Sequence, residues 1–316
     1  MIDVTVINRE QLTEQVVRLQ LAAKNAESLP KYQAGAHIDV HLPNGLIRQY
    51  SLCTPIGSDY YEIAVLNDAN SRGGSKAMHK LIKLGDTLTI SEPNNHFPLV
   101  SGARKTLLFA AGIGITPILA MAEQLAATQQ DFELYFCSRS QALTPYLARI
   151  EQSSWADKAH FHFTNGDSAN RLNVEPLLVN AQSDNHLYVC GPVSFIEDIL
   201  SKALQAGWAN EQLHREYFSA APIDHTDDQS FEILINSSGQ VLNVPADCSI
   251  LNVLEDNGIF IPVACEEGVC GTCVTGLLEG QADHKDVFLT DEEKQQMQKI
   301  TPCCSRSKSP RLVLDL

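Results

Sequence analysis

The spacing of four late cysteines constrains this chain more than any other feature. Cys265, Cys270, Cys273 and Cys303 stand as C-x4-C-x2-C-x29-C. Four thiolates in this order suit a [2Fe–2S] centre, where each iron takes two cysteine sulfurs besides two bridging sulfides. Gly268, Gly271 and Thr272 are small enough for backbone N–H groups to approach the sulfurs and tune them. Structural zinc usually repeats a C-x2–4-C knuckle, whereas here one C-x2-C is joined by a distant single cysteine. A redox dithiol at Cys270 and Cys273 lacks the strand-to-helix setting of that motif. Cys304 directly follows Cys303, and choosing it as ligand lengthens the spacing by one residue.

The remaining pattern divides the chain, whose 316 residues suffice for two or three domains. Residues 1–100 show short alternating runs broken by turn residues, such as HIDVHLPNGLIRQYSLC and DTLTISEP, which predict an antiparallel barrel or sandwich. One helix is expected within it, SKAMHKLIKL, stopped by Gly85. Over 101–222, buried strands such as KTLLFAAG, FELYFCSR and HLYVCGP alternate with helical stretches, the pattern of a doubly wound parallel sheet. A linker is expected at 223–229, inside the small, polar, acidic stretch SAAPIDHTDDQS. The last domain, 230–316, offers a strand pair, a helix SILNVLEDNG capped by Ser249 and stopped by Gly258, the cysteine loop and a final strand RLVLDL. The fold class expected is therefore multi-domain α+β and α/β.

Charge narrows the partners. Net charge is −15, which argues against nucleic acid and against an anionic membrane surface. From Thr226 onward 15 Asp and Glu face 6 Lys and Arg, so the terminal domain is steered toward a basic partner. No apolar run reaches the roughly 20 residues of a membrane span. The opening MIDVTVINRE has no basic-then-apolar signal, and nine cysteines is an odd number, so reducing cytoplasm is the expected compartment.

Two upstream motifs carry cofactor chemistry. RQYSLC ends a barrel strand, where Arg48 offers a fixed charge, Tyr50 a flat face and Ser51 a hydroxyl. RGGS, at Arg72, Gly73, Gly74 and Ser75, opens a helix with free N–H groups and a dipole suited to an anion. AAGIGITP joins a buried strand to a helix. Its Gly112 and Gly114 allow close approach of a dinucleotide pyrophosphate, while Thr116 is expected to cap the helix and Pro117 to occupy its first turn. VCGP ends a further parallel strand, at the carboxyl edge where such sheets bind ligands.

RxYS, RGGS, G-I-G-I-T-P, C-G-P and the cysteine loop, in this order over the whole chain, resemble the phthalate dioxygenase reductase family. These are reductase components of two-component Rieske oxygenases. Stretches such as AGAHIDVHLPNGLIRQYSL, SRGGSKAMH, LHREYF and TPCCSRSKS narrow the resemblance to reductases serving aromatic O-demethylation. The resemblance implies a flavin-binding barrel, a nucleotide domain and a plant-type β-grasp ferredoxin domain. It implies FMN around Arg48, Gln49, Tyr50 and Ser51, with Val65 and Leu66 lining it and residues 72–75 holding its phosphate. It implies NADH rather than NADPH at Gly112, Gly114, Thr116 and Pro117. Ser138 and Arg139, at the end of FELYFCSR, are the expected contacts to its adenosine ribose. Cys190, Gly191 and Pro192 face the nicotinamide, and Phe218 stacks on the flavin. Ser51, Cys190 and Phe218 are thus the candidate catalytic residues. Cys303 rather than Cys304 becomes the fourth ligand, and the partner becomes a Rieske-type terminal oxygenase.

Overall fold

A computed structural model describes residues 1–316 apart from 26, 27, 56, 70, 180, 221, 222, 224 and 225. The chain separates into two compact units, Met1–Phe218 and Ser219–Leu316. The expected linker at 223–229 lies partly outside the described residues, because 224 and 225 are not among them.

Alternation at the N-terminus produces strands with one buried face. β1 (Ile2–Thr13) buries Val4 and Val6, and β2 (Val16–Ala23) buries Val17, Leu19 and Leu21. With β3 (His37–His41), β4 (Ile47–Ser51), β5 (Tyr61–Leu66) and β6 (Thr87–Ile90) they form an antiparallel sheet in the order β4-β3-β6-β1-β2-β5. The two end strands approach where Cys53 N–H, just past β4, donates to Glu62 O on β5 at 2.9 Å. The helix α1 (Gly74–Lys80) sits between β5 and β6 and is shorter than its apolar pattern predicts. Met78 and Ile82 are buried, but Leu81 and Leu84 face solvent, so no packing rewards a longer helix.

The continuous apolar runs become a five-stranded parallel sheet, ordered β11-β10-β7-β8-β9, since such strands are covered on both faces. Its strands are β7 (Lys105–Ala111), β8 (Phe132–Ser138), β9 (Ala159–Phe163), β10 (Asn185–Gly191) and β11 (Leu213–Tyr217). The helices α2 (Ile115–Ala127) and α3 (Leu147–Glu151) pack on Leu108, Ala110, Leu134 and Tyr188. The helix α4 (Val193–Gln205) packs on Leu107, Phe109, Leu187 and Val189, the alternate residues of the same strands. Val16 and Ala64 of the antiparallel sheet, with Ala34, Cys53 and Phe97 from its connecting segments, join the α2 core, so the two sheets share one apolar interior.

The second unit is a mixed sheet ordered β13-β12-β18-β14-β16. Its members are β12 (Phe231–Ile235), β13 (Val241–Val244), β14 (Thr275–Glu279), β16 (Lys299–Ile300) and β18 (Arg311–Asp315), with β15 (Ala282–Asp283) and β17 (Arg306–Ser307) as a separate pair. The helix α5 (Ile250–Asp256) packs Ile250, Val253 and Leu254 into the sheet's core, and α6 (Asp291–Gln296) precedes β16. Ser249 caps α5 by accepting from Asn252 N–H at 3.1 Å, and Gly258, at φ 76°, follows its end. A sheet with a parallel β12/β18 pair gripping one helix is the β-grasp arrangement that the family resemblance implies.

Candidate functional site

The cysteine loop folds tightly because its glycines take left-handed backbone. Gly268 and Gly271 have φ of 72° and 73°. A Cβ at Gly268 would lie 2.5 Å from Cys304 Sγ, and one at Gly271 would overlap the Phe288 ring. This path brings the thiols together in pairs. Cys265 donates to Cys270, which holds the Cys270 thiol below its ordinary value. Cys303 donates to Cys273 and to its neighbour Cys304 and lowers both. Glu267 N–H reaches Cys265 Sγ at 3.3 Å, an approach that the small loop residues permit. Among the described residues no three metal-ligating side chains converge on a single ion. Cys265 with Cys270 and Cys303 with Cys273 form a donor set that fits two irons with two cysteines apiece, and Cys304, which also accepts from Cys303, stands beside it as a fifth thiol. Cys304 is buried and turns to Thr301 Oγ1 at 3.4 Å, while Cys303 is the half-buried member beside Cys273.

The RxYS strand and the RGGS turn meet in the first unit. Gly74 has the Arg48 side chain where its own Cβ would be, with Arg48 Cγ at 2.6 Å. Gly73 takes φ 110°, and the Gly73 and Ser75 N–H groups both donate to Ser71 Oγ at 3.2 Å. The expectation of free N–H groups there is corrected: the donors converge, but on a neighbouring hydroxyl, because Ser71 lies directly before the turn. Converging donors beside a guanidinium suit a phosphate. Burial pushes the Tyr50 phenol up, so it stays neutral, and Val65 is buried beside half-buried Leu66. Arg72 is exposed.

The glycine-rich turn packs on the VCGP strand end. A Cβ at Gly114 would overlap Cys190 O and Gly191 N, and one at Gly191 would lie 2.9 Å from Ala111 Cβ. These absences create the cradle at the carboxyl edge of β7 and β10. Thr116 does not cap α2, contrary to expectation. A 3-10 turn over Gly112–Gly114 leads into the helix, leaving Thr116 inside the first turn, where its hydroxyl donates to Ile113 O at 3.0 Å. Pro117 stands in that first turn as predicted. Ser138 ends β8 with exposed Arg139 after it, and Pro192 precedes α4. Phe218 follows β11 and is 38% exposed.

One residue outside the sequence motifs belongs to this site. Glu216 on β11 pairs in register with Cys190 on β10, and its carboxyl accepts from the Ser51 hydroxyl. Burial raises it from the ordinary 4.5 to about 8, with the Ser51 hydrogen bond opposing, and Glu216 Oε2 has no partner. The Cys190 thiol is pushed up by burial and then by Glu216, so it is neutral. Ser51, Cys190 and Glu216 therefore meet between the two sheets. The only sequence signal was its place between Arg215 and Tyr217 in LHREYF, which reads as surface alternation.

Comparisons with known proteins show which domains the chain contains. An oxidoreductase NAD-binding domain matches residues 108–201, and a 2Fe-2S iron-sulfur cluster binding domain matches 233–308. The chain is thus an oxidoreductase joining a nicotinamide-binding domain to an iron–sulfur domain. It is 50% identical over 317 residues to a vanillate O-demethylase oxidoreductase of Pseudomonas sp. (strain HR199 / DSM 7063), covering 100% of both chains. It is 50% identical over 318 residues to the same-named protein of Pseudomonas putida, again with full coverage. Phthalate dioxygenase reductase, described as a modular structure for electron transfer from pyridine nucleotides to [2Fe-2S], superposes with a TM-score of 0.77 at 34% identity, over 99% of this chain and 97% of that one. The chain belongs to the phthalate dioxygenase reductase family of oxygenase reductases, and its cofactors are FMN, a nicotinamide dinucleotide and a [2Fe–2S] cluster. No helix among the described residues is long and apolar enough to cross a membrane.

Proposed function

We propose that this protein passes electrons from NADH to a Rieske-type oxygenase that removes the methyl group of vanillate, and that it does so in the cytoplasm. The observation that carries this reading is 50% identity, end to end, with vanillate O-demethylase oxidoreductases. When bound, FMN would supply the change from two-electron to one-electron chemistry and the cluster a one-electron relay. Arg48, Gln49, Tyr50, Ser51, Val65 and Leu66 hold the flavin ring in this reading, with Arg72, Gly73, Gly74 and Ser75 at its phosphate. Gly112, Gly114, Thr116 and Pro117 receive the pyrophosphate, and Ser138 and Arg139 the adenosine ribose. Cys190, Gly191 and Pro192 shape the nicotinamide pocket, and Phe218 covers the flavin. Cys265, Cys270, Cys273 and Cys303 hold the irons. Domain limits of 1–100, 101–222 and 230–316, with a linker at 223–229, belong to the same reading.

The chain's own groups act by placement. The Ser51 hydroxyl is fixed by Glu216, which holds its proton near neutral pH and so leaves no bare charge beside the flavin. Neutral Cys190 presents an apolar, uncharged surface. The test is reconstitution of the purified protein with NADH, oxygen and a vanillate demethylating oxygenase, following vanillate loss and formaldehyde release. Phthalate and carnitine oxygenases run in parallel. Support of one of these with none for vanillate turnover would move the partner assignment and leave the reductase chemistry standing.

A further inference from the structure

A partly buried ionic junction lies between the flavin strands and the nucleotide helix. Arg149 on α3 donates through Nη1 to Glu62 Oε1 at 2.8 Å and to Cys53 O at 2.9 Å. Its Nε donates to Glu123 Oε1 at 2.9 Å, and Nη2 pairs with the same oxygen at 2.7 Å. Glu62 has a side chain only 1% exposed, and its other oxygen accepts from Gln20 at 2.9 Å. Arg149 lies over the Tyr146 ring, 5.3 Å from its centre, and Tyr146 Oη meets Cys53 Sγ at 3.1 Å. Tyr146 itself has a left-handed backbone, φ 62°, a strained state for a bulky residue that only surrounding packing sustains.

The three partners of one guanidinium belong to three functional elements. Cys53 is two residues past Ser51, Glu62 shares β5 with Val65 and Leu66, and Glu123 is on α2, which the glycine-rich turn starts. The shared apolar core already holds the two sheets together, and such cores tolerate sliding. A planar fork reaching two carboxylates and a carbonyl does not, because each bond is directional. Buried ion pairs add little net stability over apolar residues of equal size, so geometric registry is the better account of this one.

We propose that Arg149 is a positioning residue for hydride transfer, clamping the flavin-lining strands at a fixed register against the nucleotide helix. The proposal rests on the flavin and nicotinamide roles given above. The clamp acts on the reacting geometry rather than on cofactor binding, since Arg149 is not one of the residues that would touch either cofactor.

The test compares the purified holoprotein with Arg149→Met, Arg149→Lys and the Glu62→Gln/Arg149→Met pair, which leaves no unpaired Glu62 charge if the single variant misfolds. Rapid-mixing flavin reduction by NADH under anaerobic conditions separates the limiting rate from the NADH dissociation constant. Hydrogen exchange of residues 49–54 and 61–66 is read separately. Arg149→Met and the double variant are expected to lose at least tenfold in limiting rate, with FMN content and NADH affinity within threefold, and to exchange faster in both segments. Arg149→Lys is expected to recover part of the rate. Wild-type limiting rates and exchange in both Met variants would overturn the clamp. If the wild type itself is not reduced by NADH, the functional reading fails, and the exchange data still decide whether Arg149 ties the segments.

Discussion

Replacing Glu216 by Gln tests the arrangement between the two sheets through its pH dependence. Glu216 is half-buried on β11, has one hydrogen bond, from Ser51, and burial raises its carboxyl from the ordinary 4.5 to about 8. Between these values the unfolded chain ionises Glu216 while the folded chain keeps it neutral. Stability is therefore full below pH 4.5 and declines as pH rises toward 8. The slope is about 1.4 kcal/mol per pH unit, so the whole interval is worth at most about 5 kcal/mol. Gln keeps the shape and the acceptor for Ser51 but cannot ionise. The assay is urea unfolding followed by tryptophan fluorescence, because both tryptophans, Trp155 and Trp208, are buried in the first unit. Buried histidines such as His37 and His214, both lowered to about 4 chiefly by burial, also titrate, and the difference between wild type and variant cancels them. The two proteins should be similar at pH 5, with the variant more stable by several kcal/mol at pH 8.5. Parallel profiles across that range would mean that Glu216 is hydrated and that the reasoning about its burial is wrong.

Other consequences are open to direct measurement. Gly271→Ala places a methyl into the Phe288 ring at φ 73° and should cut iron per chain at least severalfold, read by iron and sulfide analysis. Cys303→Ser should lose most of the cluster absorbance, whereas Cys304→Ser, whose sulfur turns to Thr301, should retain it; the reverse would reassign the fourth ligand. Gly114→Ala overlaps Cys190 O, and an overpacking cost of about 1–3 kcal/mol should appear as roughly 5- to 150-fold weaker NADH binding in titrations of flavin absorbance. Raising salt from 50 to 500 mM should slow electron delivery to the oxygenase while leaving NADH reduction of the flavin unchanged, as expected for docking through an acidic unit.

The parts of this molecule that were legible in the sequence are those written in local pattern. The parallel sheet follows from runs such as KTLLFAA, which is buried on both faces, and the four thiols follow from their spacing. Loop chemistry was legible at Ser249 but not at Thr116, because the 3-10 turn at Gly112–Gly114 moved the helix start ahead of it. RGGS predicted free donors and missed Ser71, whose hydroxyl accepts from two of them. Glu216, Glu62 and Arg149 were not legible. Each looks like ordinary surface charge along the chain, and only tertiary contacts between residues as distant as Glu62 and Arg149 reveal the burial that gives them meaning.

The most direct test of the central claim is an anaerobic titration of the purified protein with NADH, followed by visible absorbance and low-temperature electron paramagnetic resonance. A flavin taking two electrons and a [2Fe–2S] centre taking one predict full bleaching at about 1.5 NADH per chain, with a paramagnetic reduced cluster. Zinc in place of iron and acid-labile sulfide, or visible bands that NADH leaves unchanged, would contradict it.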